Sequence, residues 1–328
     1  MTISLGPLLL DPPVFLAPMA GITDLPFRRV VARFGAGLVV SEMVASEEMM
    51  QGLPEMRSRA ELGLTEAATS VQIAGREAYW MAEAAKALAG QGAKIIDINM
   101  GCPAKRVTTG ACGAALMREP SRALRLIEAV VQAVSVPVTL KMRLGWDRET
   151  MNAPQMARAA EGAGIAMVAV HGRTRNQLYK GEADWAAIRA VKDAVSIPVI
   201  ANGDIVDAAT ARRALALSGA DGVMVGRGAQ GAPWVLAEIA HDLHGAPAPE
   251  VPTRADLAAL VIEHYEAALS FYGRDLGLRC VRKHLNWYLE RFGDPVLRPR
   301  ILVELDPAQV IKLLIQAFDG PNRESAAA

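Results

Sequence analysis

The sequence is poor in cysteine, and this shortage narrows the class of protein. Its 328 residues include three cysteines, Cys102, Cys112 and Cys280, and none of them forms a CxxC pair. An odd number of thiols without such spacing argues against a disulfide framework and against a structural zinc site. We therefore expect reduced cysteines, no bound metal and a cytoplasmic location.

Targeting and membrane signals are also lacking. No Lys or Arg precedes the short apolar run at residues 8–10, and Pro12 and Pro13 follow almost directly. This pattern argues against a signal peptide. No stretch approaches the roughly 18 uninterrupted apolar residues of a membrane span. We expect no membrane partner.

The chain has no net charge, since 35 basic residues balance 35 acidic ones. This balance excludes polycation behaviour of the whole chain, so any nucleic-acid binding must come from a local patch. Apolar residues make up 52% and charged residues 21%, which favours a large core over disorder. The length suits either two domains or one barrel of roughly 200–250 residues with a smaller domain.

Short β-branched runs alternate with longer helical patterns as far as Val225. Most of the runs are continuously apolar and end in a polar residue or glycine, which is typical of parallel strands covered by helices. Helices are predicted at 76–91, 121–134, 153–162, 185–195 and 207–218, whereas 45–69 looks loop-rich. The predicted strands are 14–21, 38–44, 70–74, 95–100, 136–142, 167–171, 198–201 and 222–225.

Eight strands in this arrangement favour an α/β fold of the (β/α)8 TIM-barrel type, with a doubly wound open sheet as the alternative. The composition changes after Trp234, and residues 244–253 contain three prolines. Segments 254–272, 278–292 and 307–318 then show helical spacing. We predict a barrel domain at 1–243, a linker at 244–253, a small all-helical domain at 254–320 and a tail at 321–328.

Polar residues and glycines follow the strands where a barrel carries its active site, and the last two strand ends are where phosphate is often held. Gly203, Gly226 and Gly228 allow backbone N–H groups to approach an anion, and Arg227 adds charge. Lys141 lies in an apolar strand, where a lone ammonium is costly unless it meets an anionic or electron-rich group. A structural lysine that snorkels to solvent is the alternative.

Two further residues have more than one interpretation. His171 is either a hydrogen-bonded core histidine or a ligand-binding residue. Cys102 lies between Gly101 and Pro103, so its backbone turns sharply. A free thiol is mainly protonated at neutral pH and can donate a proton, but it can also act as a nucleophile beside a base or cation. The segment 107–117 that follows is predicted to be a mobile lid.

Residues 14–234 contain the motifs APMAGITDLPFR, INMGCPAKRV, TGACGAALM, KMRLGW, HGRT, ANGDI and VGRGA. Together these motifs resemble the tRNA-dihydrouridine synthases. VRKHLNWYL at 281–289 resembles the bacterial B-type subgroup. The resemblance implies an FMN-dependent enzyme that uses NADPH (or NADH) to reduce the C5–C6 double bond of uridines in the tRNA D-loop.

The resemblance also implies roles for matching residues. Hydride would pass from flavin N5 to C6, while Cys102 gives the proton to C5. Asn99 and Arg173 would orient the uracil. The phosphate of FMN would be held by Asn202, Gly203, Asp204, Gly226 and Arg227. The flavin ring would be contacted by Pro18, Met19, Ala20, Gln72, Lys141 and His171.

Residues 274–300 carry seven basic and three acidic side chains. Arg282 and Lys283 lie within one helical turn of Arg279, with His284 beside them, and such a patch suits a tRNA backbone. We therefore predict that Arg282, Lys283 and His284 bind tRNA, and that Trp287 packs in a core. We expect a monomer. A flavin oxidoreductase of a small pyrimidine or enone, and an RNA-binding barrel without chemistry, are the alternatives.

Overall fold

The computed structural model describes residues 2–53, 56, 59–61 and 69–319. Its contacts divide the chain into two compact units. The barrel unit combines Met1–Gly228 with Leu236–Pro247, and the helical unit combines Ala229–Val235 with Ala248–Ala328. In the described part of the chain, every helix is too short or too polar to span a membrane.

The barrel unit is built on a closed parallel sheet. Its hydrogen-bonded order is β4-β3-β11-β10-β9-β8-β7-β6-β5, and β4 also pairs with β6. β4 and β5 follow one another along β6, so together they occupy one of eight positions around the barrel. The strands are β3 Val14–Leu16, β4 Leu38–Val40, β5 Val44–Ala45, β6 Thr69–Ala74, β7 Ile95–Met100, β8 Val138–Arg143, β9 Met167–His171, β10 Val199–Asn202 and β11 Gly222–Val225.

This topology confirms the TIM barrel and excludes the doubly wound open sheet. Each of the eight predicted strands corresponds to a barrel position, although the first ends at Leu16, five residues earlier than predicted. The sequence prediction missed a two-stranded antiparallel hairpin of β1 Ile3–Leu5 and β2 Leu8–Leu10. Its buried leucines Leu5 and Leu10 pack among the first residues of the barrel strands, so the hairpin closes the N-terminal end of the barrel.

Helices surround the sheet, and the five predicted ones are confirmed within a few residues. Four other helices with bounds in the described part of the chain were missed, and the segment at 45–69 contains part of β5 and all of α2. Residues 54, 55, 57, 58 and 62–68 lie outside the described part. The helices of the barrel unit are α1 Leu25–Arg33, α2 Ser46–Met50, α3 Ala78–Gly90, α4 Lys105–Thr109, α5 Pro120–Ala133, α6 Ala153–Gly162, α7 Ala186–Lys192, α8 Ala208–Ser218 and α9 Val235–His244.

Helix ends follow from local chemistry. α8 begins at a capping box in which the Asp207 carboxylate accepts from the Thr210 amide at 2.7 Å. It ends at Gly219, which has a positive φ of 64° that few other residues adopt. α1 has the same kind of start, since Asp24 accepts from the Phe27 amide at 3.0 Å and Pro26 occupies the first turn.

The helical unit contains the three helices that the sequence predicts and one short helix between them. Helix α10 packs against both α11 and α13. The core of the helical unit includes Val261, Leu285, Leu289 and Leu314, each at most 2% exposed. The helices are α10 Arg254–Tyr272, α11 Arg274–Phe292, α12 Arg298–Val303 and α13 Pro307–Phe318.

Candidate active site

The C-terminal ends of the barrel strands bring the predicted site residues together. Strand register places Asn99 of β7 beside Lys141 of β8, and places His171 of β9 beside Arg143 on one side and Asn202 on the other. Because side chains alternate along a strand, these five residues all point into the barrel at the same end. The sequence prediction of a polar mouth is consistent with this placement.

Lys141 lies in the barrel interior with its ammonium almost withdrawn from solvent. Its Nζ donates to Asn202 Oδ1 at 3.0 Å, and Asn202 Nδ2 in turn donates to the Met224 carbonyl at 2.8 Å. Burial and the neighbouring Arg143 lower the pKa of Lys141 to about 8, although Asp97 opposes the change. Among the described residues no carboxylate forms an ion pair with it. Such a cation suits an electron-rich ligand group.

His171 is buried beside the same cations. Burial first, and then the charges of Lys141 and Arg143, lower its pKa well below the ordinary value, so the ring is neutral at pH 7. Arg173 Nη1 lies 3.3 Å from His171 Nε2. A guanidinium can only donate, so Nε2 accepts and Nδ1 carries the proton. His171 therefore presents a neutral N–H donor.

Arg173 and Asp204 are bound to each other. The buried Arg173 guanidinium donates to both Asp204 oxygens, and Arg227 donates to one of them at 3.1 Å. Burial raises the pKa of Asp204, but the Arg173 hydrogen bond and the Ala183 amide outweigh it, so the net pKa is lowered. Asp204 is thus an ionised residue that holds two arginines, and Arg173 is directed at Asp204.

Backbone geometry at the last two strand ends leaves room for a ligand. Gly203 has φ of +114°, and an added Cβ would lie 2.7 Å from His171 Cδ2, so this position requires glycine. At Gly226 an added Cβ would meet nothing nearer than Met19 Sδ at 3.6 Å. Pro18 and Met19 are half-buried, and the neighbouring Ala20 is exposed. The backbone at Gly226 is therefore open to close approach, and Arg227 follows it directly in the chain.

Cys102 lies in a turn that is held on both sides. Its backbone N–H and that of Gly101 donate to Asn99 Oδ1 at 2.9 and 3.1 Å. The Gly101 carbonyl accepts from Arg143 Nε at 2.8 Å, and the Cys102 carbonyl accepts from the Ala114 amide at 3.0 Å. The half-buried Cys102 side chain is therefore carried by a fixed backbone.

The segment 107–117, predicted to be a mobile lid, is packed in its second half. A 3-10 helix, Gly113–Arg118, follows α4, and its residues 113–117 are buried. An added Cβ on Gly113 would lie 2.9 Å from the Cys102 carbonyl oxygen. The small residues of this segment allow it to pack against the cysteine turn, and the packed part supports the turn.

A chain of buried polar side chains leads away from this turn. Asn99 Nδ2 donates to Gln72 Oε1 at 2.6 Å, and Gln72 Nε2 donates to Asp97 Oδ2 at 2.7 Å. Thr139 Oγ1 donates to the other Asp97 oxygen at 2.6 Å. Sequence reasoning placed Gln72 and Asn99 in the site separately and missed Asp97 and Thr139. The signal for Asp97 was a carboxyl group inside the apolar run IIDINM.

Sequence reasoning also missed Arg143 and Tyr179. Arg143 donates from Nη1 to the Thr174 and Leu178 carbonyls at 2.9 and 2.8 Å, which fixes the loop after β9. The exposed Tyr179 ring lies between two guanidiniums, 5.5 Å from Arg143 and 5.4 Å from Arg227. Arg143 was detectable, because a residue two positions after Lys141 shares its face of the strand.

In the helical unit, the predicted tRNA-binding residues do not all lie on the exposed face of α11. Arg282 and Lys283 are half-exposed on α11, and Arg279 on the same face is exposed. His284 is only 2% exposed and its ring packs 4.8 Å from that of His264. The reason is helix geometry, since His284 lies about 140° around the axis from Arg279. The structure therefore removes His284 from the basic surface. Trp287 is half-buried and packs on the His284 ring at 5.3 Å.

Comparison with known proteins gives consistent similarities. The family model described as "Dihydrouridine synthase (Dus)" matches residues 15–301. A "Probable tRNA-dihydrouridine synthase" of Rhodobacter capsulatus is 64% identical over 327 residues, which are 99% of this chain and 100% of that relative. A protein of the same name from Rhizobium leguminosarum is 53% identical and covers 95% of this chain and 98% of its own length.

Two other matches bear on the subgroup and the fold. The "tRNA-dihydrouridine synthase B" of Xanthomonas axonopodis is 49% identical over 284 residues, 87% of this chain and 86% of that relative. The solved structure of histamine dehydrogenase from Rhizobium sp. 4-9 covers 81% of this chain and 50% of that chain, with a TM-score of 0.56 and 12% identity. At that identity the match shows a shared barrel fold.

Proposed function

Because this chain belongs to the dihydrouridine synthase family, we propose that it reduces the C5–C6 double bond of uridines in tRNA to give 5,6-dihydrouridine. The observation that carries the proposal is the Cys102 turn, fixed by Asn99 and Arg143 at the barrel mouth. The similarity to a B-type synthase assigns the chain to the bacterial B-type subgroup, and this subgroup points to a uridine of the D-loop as the target.

The residues present fit a flavin, and we assign FMN as the form bound. A buried ammonium with a neutral amide as its partner, Lys141 with Asn202, suits the electron-rich edge of the flavin ring. His171 adds a neutral N–H donor. Pro18, Met19, Ala20 and Gln72 complete the contacts with the ring. When bound and reduced by NADPH or NADH, the flavin would supply the hydride for C6.

The anionic end of FMN fits the backbone at the last two strand ends. Gly203 and Gly226 allow close approach of the backbone, and the half-exposed Arg227 supplies charge. Asp204 contributes by holding Arg227 in place, because its carboxylate is already bonded to two arginines. Asn202 acts by positioning Lys141.

Cys102 supplies the proton to C5 as a general acid. Its turn is held at both backbone N–H groups and both carbonyls, so the backbone that carries the thiol is fixed, and proton transfer requires such placement. Asn99 keeps one N–H of its amide for the uracil edge, because the other donates to Gln72. Arg173 acts on the site through Asp204 and His171.

We assign tRNA binding in part to a basic surface on the helical unit. Arg279, Arg282 and Lys283 lie on the exposed side of α11, where each neutralised phosphate adds salt-dependent affinity. A target uridine must leave its stack to enter the barrel mouth, which costs a few kcal/mol and less in an irregular loop. This cost favours a tRNA loop as substrate.

The test is dihydrouridine formation on unmodified tRNA transcripts with FMN, NADPH and the full-length protein, measured by nucleoside mass spectrometry. We expect product with tRNA and none with free uridine or uracil at the same concentration. Turnover of the free pyrimidine at the rate found with tRNA would overturn the proposal in favour of a small-molecule oxidoreductase.

The basic surface has its own control in the same assay. Changing Arg282 and Lys283 to Gln should raise the KM for tRNA and lower the salt dependence of binding by a slope of about 2, at unchanged flavin content. A matched pair on the barrel unit, Arg125 and Lys86, is exposed on α5 and α3 and should have no such effect. Equal effects of the two pairs would exclude a specific role of α11.

A further inference from the structure

We infer that Asp97 is a positioning residue: through the side-chain amides of Gln72 and Asn99 it fixes the backbone turn that presents Cys102. The kinetic consequence rests on the proposed function, whereas the structural consequence does not. Asp97 does not contact the turn itself and acts through two intervening side chains.

The register of the barrel strands builds this connection. Asp97 of β7 is paired with Gln72 of β6 on one side and with Thr139 of β8 on the other. Asn99 lies two residues further along β7 and therefore on the same inward face. All four side chains are at most 7% exposed, so their polar groups depend on one another for hydrogen bonds.

The hydrogen bonds run in one direction because of Asp97. A carboxylate accepts at both oxygens, whereas an amide has a donor end and an acceptor end that can exchange by a flip. With Asp97 accepting at 2.7 Å, Gln72 must turn its Nε2 toward Asp97 and its Oε1 toward Asn99. Asn99 must then donate from Nδ2, at 2.6 Å, and present its oxygen on the other side.

The orientation of Asn99 decides what holds the cysteine turn. Only its oxygen can accept from the N–H groups of Gly101 and Cys102, which lie 3.1 and 2.9 Å away. In the flipped orientation the amide nitrogen would face two donors, and both bonds would be lost. The direction set at Asp97 is thus transmitted to the backbone beside Cys102.

A purely structural role does not explain a carboxylate here. Burying it is costly, and burial raises its pKa against the opposing hydrogen bonds from Thr139 and Gln72. The register continues from Thr139 to Met167 of β9, and that position carries an apolar side chain buried in the core. An apolar side chain at position 97 would fill the interior but leave the Gln72 amide without a fixed direction.

The experiment compares three variants by hydrogen exchange of the Gly101 and Cys102 amides, read by mass spectrometry with fragmentation to single residues. Asp97→Ala removes the acceptor and should speed exchange of both amides roughly tenfold. Asp97→Asn keeps one acceptor oxygen for Gln72 and should restore most of the protection. Thr139→Val removes a bond of similar size on the far side of Asp97 and should leave both amides as in the unchanged protein.

Two results would overturn the inference. One is unchanged exchange of both amides in Asp97→Ala, and the other is equal acceleration in Thr139→Val. If Asp97→Ala does not fold, Gln72→Met breaks the connection at its next member and must give the same faster exchange for the inference to stand. Exchange needs no substrate, so this result is independent of the proposed function.

The kinetic arm uses the flavin-loaded proteins and tRNA. A misplacement of the thiol by about 1 Å costs roughly a hundredfold in rate, so Asp97→Ala should lower kcat by that factor at unchanged KM. Asp97→Asn should recover most of the rate. Faster exchange together with wild-type kcat would overturn the positioning role, while absence of dihydrouridine with the unchanged protein would overturn only the proposed function.

Discussion

The two sides of the barrel interior differ in chemistry although they belong to one sheet. Below the mouth, β3, β4, β9, β10 and β11 contribute apolar side chains to the interior, including Phe15, Leu38 and Ile200, which pack with Leu5 and Leu10 of the hairpin. The polar His171 and Asn202 lie at the ends of β9 and β10, at the mouth. β6, β7 and β8 contribute Gln72, Asp97, Asn99, Thr139 and Lys141, all buried. The apolar side is held by burial alone, whereas the polar side needs every hydrogen bond to be made.

This difference separates stability from function within one sheet. Apolar burial contributes about 25 cal/mol per Å² without directional demands. A buried polar network costs free energy when any member is left unpaired, and it orients side chains in return. We therefore expect substitutions on the apolar side to lower the free energy of unfolding, and substitutions on the polar side to change ligand binding and catalysis.

The largest effect is expected on the apolar side. Phe15→Ala removes a fully buried ring and should lower the free energy of unfolding by about 3–5 kcal/mol, measured by urea denaturation. Leu9→Ala in the hairpin is a matched control, because that side chain is 70% exposed, and its effect should stay within about 0.5 kcal/mol. Equal effects of the two changes would contradict the assignment of stability to this side.

On the polar side, Lys141→Met should act on the cofactor. Loss of the buried ammonium should weaken FMN binding by about a hundredfold, or roughly 2.7 kcal/mol, in a fluorescence titration of the flavin-free protein. The free energy of unfolding should stay equal or rise, since a buried charge is exchanged for an apolar chain. Lys86→Met, on an exposed helix face, is the control. Unchanged FMN affinity would exclude Lys141 as a flavin contact.

The pH dependence of stability gives an independent measure of the same lysine. Its pKa falls from an ordinary 10.5 to about 8 on folding, so between these values the folded state binds fewer protons than the unfolded state. Stability therefore rises with pH across this window. In the flavin-free protein, the stability advantage of Lys141→Met should be on the order of 3 kcal/mol at pH 7 and shrink toward pH 10. A pH-independent difference would contradict a lowered pKa.

The smallest effect is expected at the edge of the mouth. The Arg227 side chain is 55% exposed, so Arg227→Gln should weaken FMN binding by about two- to fivefold, or up to roughly 1 kcal/mol. The variant should bind riboflavin, which lacks the phosphate, as tightly as the unchanged protein does. Arg125→Gln, on the exposed face of α5, is the control. An equal loss with riboflavin would place Arg227 away from the phosphate.

The sequence predicted the barrel well because continuous apolar runs and strand-end glycines are local signals. It missed the hairpin β1–β2, whose strands have three residues each, too few for a pattern to emerge. α1 was missed although Asp24 and Pro26 mark its start. The error at His284 came from adjacency in sequence, since neighbours on a helix face different sides.

The hydrogen bonds that link Gln72, Asp97 and Thr139 could not be predicted by considering one residue at a time. Gln72, Asp97 and Thr139 lie on three strands, and they meet only because the register pairs them. Likewise, the resemblance assigned Asp204 to the phosphate, whereas the structure directs it at Arg173. Hydrogen-bond direction depends on these pairings, which no spacing in the sequence encodes.

The most direct test of the account is a single-turnover measurement with Cys102→Ala. Flavin-loaded protein is reduced, mixed anaerobically with unmodified tRNA, and dihydrouridine is counted over time after rapid quenching. The account predicts that the variant keeps its flavin and its tRNA affinity while the rate falls by about 10²–10⁴-fold, because the proton donor is gone. Dihydrouridine formed at the rate of the unchanged protein would contradict the assignment of Cys102 as the acid.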